Sequence, residues 1–254
     1  MLVQVLTAPF AVIADAVSVL GSALFLNRIR PGEPPAGKGD TSVTAGARFI
    51  ARDPIVRASL TGIAVVNLFN AMLFALYLLY AVRTLHLRPG AVGLVLGAGA
   101  VGGLIGAAVT KRIAARLGAG LAYVTGCFIF AVPQVLVPLA SGPRPLVLVM
   151  LFAAEFGTGF GVVVLDISIG AIFAAVIPDD VRSRVTGAFQ AVNYGARPLG
   201  AVLGGFLGSA YGLRPALWVA VAGGITGAAL LLPSPIPRYR LPAGAGRPIR
   251  LSGK

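Results

Sequence analysis

Acidic residues are scarce in this chain. Eight Asp and Glu stand against twenty-one Lys and Arg in 254 residues, and none falls between Asp53 and Glu155. That gap disposes of the one nucleotide-like pattern present. Gly97-Ala98-Gly99-Ala100-Val101-Gly102 fits GxGxxG, but a dinucleotide fold needs an acid about 20 positions further on. The single cysteine, Cys127, lies in an apolar segment and excludes an intrachain disulfide framework. The single histidine, His86, lies in a short loop, and one His with one Cys does not make a metal site. No catalytic triad, phosphate loop or zinc motif is present, so no enzyme, metal or cofactor is expected. Charged residues make up only 11% of the chain, against about 25% in a soluble domain. That deficit points to a membrane protein.

What the chain has in quantity is apolar residues, 57% of the total, with a mean hydropathy of +0.90. They form seven segments: 2–26, 58–82, 91–110, 120–140, 146–170, 185–209 and 215–233. Each is long enough to cross a bilayer, which takes about 20 residues of helix. The first lacks the basic residues that open a signal peptide, and Arg28 and Arg30 follow it instead. It reads as a retained helix with its N-terminus outside. The net charge of +13 is not a nucleic-acid signal, because the basic residues sit in short runs between apolar segments. Sixteen Lys and Arg lie in 27–57, 111–119, 178–184 and 234–254, and four in 83–90, 141–145 and 210–214. The positive-inside rule places the first set, and the C-terminus, in the cytoplasm. Tyr77, Tyr80, Tyr211 and Trp218 then fall near the outer interface, where an aromatic belt is expected. Within 27–57, PGEPPAGKGD reads as flexible, and TAGARFIARDPIVR as a short amphipathic surface helix broken near Pro54. The Pro-, Gly- and Arg-rich tail 234–254 reads as disordered.

Polar residues inside the segments are the candidate functional groups. Glu155 and Asp166 are eleven positions apart, close to three helical turns, so both point the same way. A charge at bilayer depth costs about 2.5–3.5 kcal/mol on insertion scales and usually faces a bundle interior or a water path. Gln190, Asn193, Tyr194 and Arg197 fall at i, i+3, i+4 and i+7, one stripe on one helix face, with Pro198 following. Asn67 and Asn70 form a smaller stripe. Either set can serve a transport path or simply hold helices together by hydrogen bonds. Asp15, in the first segment, can bond a neighbouring helix or a backbone group. Glycines four apart (Gly93/Gly97, Gly99/Gly103, Gly102/Gly106, Gly157/Gly161, Gly200/Gly204, Gly204/Gly208) predict close helix contacts.

APFAVIADAVSVLGSALFL, ARFIARDPIVRASL, GLVLGAGAVGGLIGAAVTKRIAARLG and AVIPDDVRSRVTGAFQAVNYGARPLGAVLGGFLG together resemble the major facilitator superfamily. The nearest branch is the enterobactin-exporter-like, drug-efflux one, and the resemblance runs from residue 1 to about 235. It implies an all-α, polytopic fold with seven transmembrane helices matching the sixth to twelfth of a twelve-helix protein. Residues 1–26 then match the sixth helix, 27–57 the central cytoplasmic loop, and 58–233 the C-terminal six-helix half. Residues 234–254 are the basic tail. It implies a second-half echo of the family's gating loop at Lys111, Arg112 and Arg116. It also implies a cavity lined by the seventh, eighth, tenth and eleventh helices, with the sixth, ninth and twelfth outside. Asp15 becomes structural in that scheme. At Asp166 the branch commonly has Asn.

The expected function is secondary active export across the cell membrane of a small amphipathic molecule such as a drug or siderophore, driven by protons. The expected partners are the lipid bilayer, the small-molecule substrate, and an N-terminal transporter half or a second copy. The rival expectation is a truncated or accessory membrane half that transports nothing. A membrane-embedded enzyme has no constellation to rest on. A cysteine placed at His86 should react with an impermeant thiol reagent in intact cells. Reaction only after permeabilisation would overturn the topology.

Overall fold

ARDPIVR sets where the first long helix begins. In the computed structural model, which describes residues 16, 17, 19–23, 25 and 44–240, Asp53 ends α1 (Thr44–Arg52) and caps α2 (Pro54–Arg83). Its carboxylate accepts from the Ile55 and Val56 amides, each at 2.9 Å, and Pro54 occupies the first helical turn. Side-chain oxygen at the cap and proline just inside are what a helix start requires. The chain divides into two units, 1–39 and 40–254. The described residues of the first are helical. Most of segment 2–26, with Asp15, and the tail from 241 lie outside the described residues.

In the second unit α2 is followed by α3 (Pro89–Leu117), α4 (Ala119–Ala131), α5 (Arg144–Val176), α6 (Asp179–Tyr211) and α7 (Leu213–Ala229). No strand occurs among the described residues. Pro133 turns the end of α4 into a 3-10 stretch, Val132–Val135, before a last α turn, Leu136–Leu139. Among the described residues, four helical stretches are long and apolar enough to cross a membrane: α2, α3, α4 with its extension, and α5. The helix α6 is as long as α5, but its polar stripe lowers its hydropathy. At 17 residues α7 is shorter than these four stretches and α6. The expected loop at 111–119 is helical as far as Leu117.

The helix pairing has a two-fold pattern. Taking α2–α4 and α5–α7 as triplets, the first helix of each packs on the second and third helices of the other: α2 on α6 and α7, α5 on α3 and α4. The turns correspond too. Gly118 joins α3 to α4 at φ 86°, and Gly212 joins α6 to α7 at φ 93°. Both are left-handed positions that glycine fills without steric cost. Three helices per repeat makes successive triplets run in opposite senses, the arrangement of an inverted transporter repeat.

Two apolar clusters fill the ends of the bundle. One joins Tyr77 and Tyr80 of α2 to Leu151 of α5 and Leu217 of α7. The other joins Ile63, Tyr123, Cys127, Leu165, Ile172 and Phe189. Tyr77 and Tyr80 are therefore inside, 3% and 1% exposed, not in an aromatic belt. The Tyr80 hydroxyl donates to the Ala140 carbonyl at 3.3 Å, a buried partner that an interfacial reading did not foresee. Tyr211 and Trp218 do face outward. A small cluster of Ile50, Val56, Ile177 and Val185 docks the apolar face of α1 on the start of α6. The tail also departs from expectation. It is folded through residue 240, with Ile236 fully buried and the Tyr239 carbonyl accepting from the Gly120 amide at 3.1 Å. An apolar side chain and a glycine-faced helix start suffice to hold it.

The glycine spacings divide into used and unused. Gly102 lies against the Phe156 carbonyl of α5, where a Cβ has no room, whereas Gly93 has nothing within 4 Å. Gly102→Ala should destabilise the purified chain by about 1–3 kcal/mol, and Gly93→Ala should change stability by about 0.5 kcal/mol or less. Thermal unfolding in detergent reads both, and equal effects would contradict the packing.

Candidate functional site

The polar stripe on α6 faces a cavity of about 550 Å³ between α2, α4, α5 and α6. Asn67 and Asn70 reach it from α2, Asp166 from α5, and Gln190, Asn193, Tyr194 and Arg197 from α6. Seven of the eight residues singled out as a polar pathway are thus together. The wall also carries aromatic side chains, Tyr123 and Phe130 from α4, Phe173 from α5 and Phe189 from α6, and Arg182 and Thr186 of α6. The Phe173 and Phe189 rings meet edge to face at 4.9 Å. The cavity lies at the end of the bundle that carries Arg182 and the α5–α6 turn. The Tyr77–Leu151–Leu217 cluster fills the opposite end.

Arg197 is held by neutral groups. Its Nε and one terminal nitrogen donate to Asn67 Oδ1 at 3.2 and 3.1 Å, and its guanidinium carbon stands 4.5 Å from the centre of the Tyr194 ring. Asn67 is oriented in turn by its own Nδ2, which donates to the Ile63 carbonyl at 3.1 Å. Pro198 leaves the Tyr194 carbonyl without its helical donor, loosening α6 beside the charge. Asp166 feels the Arg197 charge without pairing with it. The one ion pair among the described residues joins Arg182 to Asp179. Arg182 also donates to the Ala174 and Ile177 carbonyls at 3.0 and 2.9 Å, tying α6 to the end of α5.

Glu155 is the residue the cavity does not include. Eleven positions put it on the face of Asp166 but also about 16 Å away along the axis, at a rise of ~1.5 Å per residue. At that level its neighbour on α2 is Tyr77, whose buried hydroxyl sits beside the carboxylate outside hydrogen-bond geometry. Gly99 of α3 closes on its backbone. Lys111, Arg112 and Arg116 are exposed on the last turns of α3 and do not line the cavity.

Four lining or supporting residues were not anticipated. Gln134, beside Pro133, donates to Asn70 Oδ1 at 3.2 Å, and its polarity within an apolar segment was a readable signal. Tyr123 contributes a buried, unpartnered hydroxyl; Thr186 and Arg182 line the α6 wall. The helix expected to match the ninth, α4, therefore lines the cavity, and the one expected to match the eighth, α3, does not. Glycine contacts seat α3 tightly on α5 at Phe156 and Phe160 instead.

A sequence model described as Major Facilitator Superfamily matches residues 60–252. The chain belongs to the Major Facilitator Superfamily. It is an all-α, multi-pass membrane protein of a family whose members are transporters. No curated protein matches the sequence. In this superfamily member the cavity, with its polar groups converging from four helices, is the candidate substrate path.

Proposed function

We propose that this chain provides one six-helix half of a proton-coupled exporter of the drug-efflux, enterobactin-exporter-like branch. The exported molecule is small and amphipathic, and the membrane is the cell membrane, with the C-terminus cytoplasmic. The helix in 1–26 corresponds to the sixth of the complete fold. The carrying observation is an ionisable carboxylate, Asp166, inside a cavity that it shares with amide, guanidinium and aromatic side chains. Such a group can take a proton from one side and release it to the other as two halves rock about a midplane site. Glu155, three turns away beside Tyr77, is the second proton-accepting candidate.

A partner half is part of this reading. The wall next to Arg197 is open. Phe74 of α2 and Leu199, Val202 and Phe206 of α6 are each more than 60% exposed around it. Arg197 and Tyr194 are exposed on the same side. Left to lipid, a charge at depth costs a few kcal/mol, so an N-terminal half or a second copy is proposed to cover it. Without that cover the chain would act only as an accessory half.

The test is proton-driven efflux from vesicles holding the chain together with an N-terminal half. Glu155→Gln and Asp166→Asn are each assayed across pH. One of them should lose the dependence on the proton gradient, and Asp166→Asn should be the better tolerated. Wild-type pH dependence in both would remove these carboxylates from the coupling role.

A further inference from the structure

Arg197 carries a charge that no ion pair among the described residues neutralises. Both of its hydrogen bonds go to one neutral oxygen, Asn67 Oδ1. No carboxylate stands within ion-pair distance, since the ion pair among the described residues is at Arg182. The remaining lysines and arginines lie in the runs between apolar segments, which leaves Arg197 as the cation within one. A buried or membrane-depth charge is retained where it has a partner to meet. The side chain is also pre-positioned, because Asn67 is itself fixed by the Ile63 carbonyl and Tyr194 lies under the guanidinium. A guanidinium held through Nε and one terminal nitrogen keeps its other amino group for an incoming oxyanion.

The surroundings describe the rest of the ligand. On one side of Arg197 is the cavity with aromatic walls at Phe130, Phe173 and Phe189. On the other a shallower groove of about 620 Å³ continues between α2 and α6 past Phe74 and Pro198, sharing Asn70, Tyr194 and Arg197 with the cavity. The charge thus sits at the junction of the cavity and the groove. Asp166, across the cavity, is the one carboxylate in its wall, and it repels an anion at Arg197.

We propose that this site selects amphipathic organic oxyanions: a carboxylate or similar group anchors on Arg197 and the apolar body lies in the cavity and groove. Arg197 is the specificity-determining residue, Asn67 positions it, and Asp166 tunes it. The inference rests on the transporter reading and names its substrate class.

Three probes of one shape and different charge test it: 2-naphthoate, 2-naphthamide and 2-naphthylmethylammonium. Each is titrated by equilibrium dialysis against the full chain in uncharged maltoside micelles. The expected result is naphthoate binding about tenfold or more tighter than the amide, the scale of a charge-assisted hydrogen bond. Arg197→Gln should remove that margin while leaving amide binding unchanged, and Arg197→Lys should restore part of it. Asp166→Asn, which leaves the Arg197 anchor intact, should tighten naphthoate and not the amide. Equal binding of all three, preference for the ammonium probe, or a naphthoate margin that survives Arg197→Gln would overturn the anion site while leaving a transport cavity in place. Displacement of naphthoate by phosphatidylglycerol would assign the anion to a lipid headgroup and overturn the substrate reading. Failure of every probe to bind would overturn the cavity and the transporter reading together.

Discussion

Polar side chains at bilayer depth have no water to turn to, and the architecture follows from where they are put. A lipid-facing amide or guanidinium costs more than one that meets a partner across a helix contact. Arg197 donates to Asn67 between α2 and α6. Gln134 donates to Asn70 between the end of α4 and α2. Those two pairings converge on one stretch of α2, and the cavity lies beside them. The apolar clusters at the two ends hold the helices, but they do not choose which faces meet. The polar contacts add that choice.

Close approach is the second requirement, and glycine meets it. At Gly102 and Gly200 the partner helix comes so near that its carbonyl, at Phe156 or Leu68, occupies the space of a methyl group. These contacts belong to the equivalent pairs α3–α5 and α2–α6 of the two triplets. The same geometry is therefore used twice, once on each side of the pseudo-two-fold axis. The chemistry is not repeated. Between α2 and α6 the seam carries Asn67 and Arg197, whereas between α3 and α5 it carries Gly99 and Glu155. An inverted repeat has thus diverged into a seam that opens to a cavity and a seam that is closed.

Much of this was legible because membrane helices write simple patterns. Apolar length located the helices, and the three-and-four spacing from Gln190 to Arg197 placed one polar face that does turn to the cavity. Other features were hidden for physical reasons. Spacing gives the angle of a side chain about its helix but not what lies opposite at its level, so Glu155 shares the face of Asp166 but not its cavity. Tyrosine suits both a membrane interface and a polar spot in a core, so Tyr77 and Tyr80 were misplaced. A proline- and arginine-rich tail resembles disorder, yet Ile236, buried against α4, and Tyr239, bonded to the Gly120 amide, hold the stretch to residue 240. Which helix supplied Tyr123 depended on how tightly α3 seats on α5, and no periodicity reports that.

The central claim is that the polar face of α6 lines a wet cavity at membrane depth while its other faces do not. Single cysteines in a Cys127→Ala background, treated with a small water-soluble maleimide in membranes, test it most directly. Thr186→Cys, Gln190→Cys and Asn193→Cys should react quickly, and Val192→Cys and Val202→Cys should be protected. Equal reactivity around the helix, or protection of Gln190→Cys and Asn193→Cys with reaction at Val202→Cys, would contradict the account.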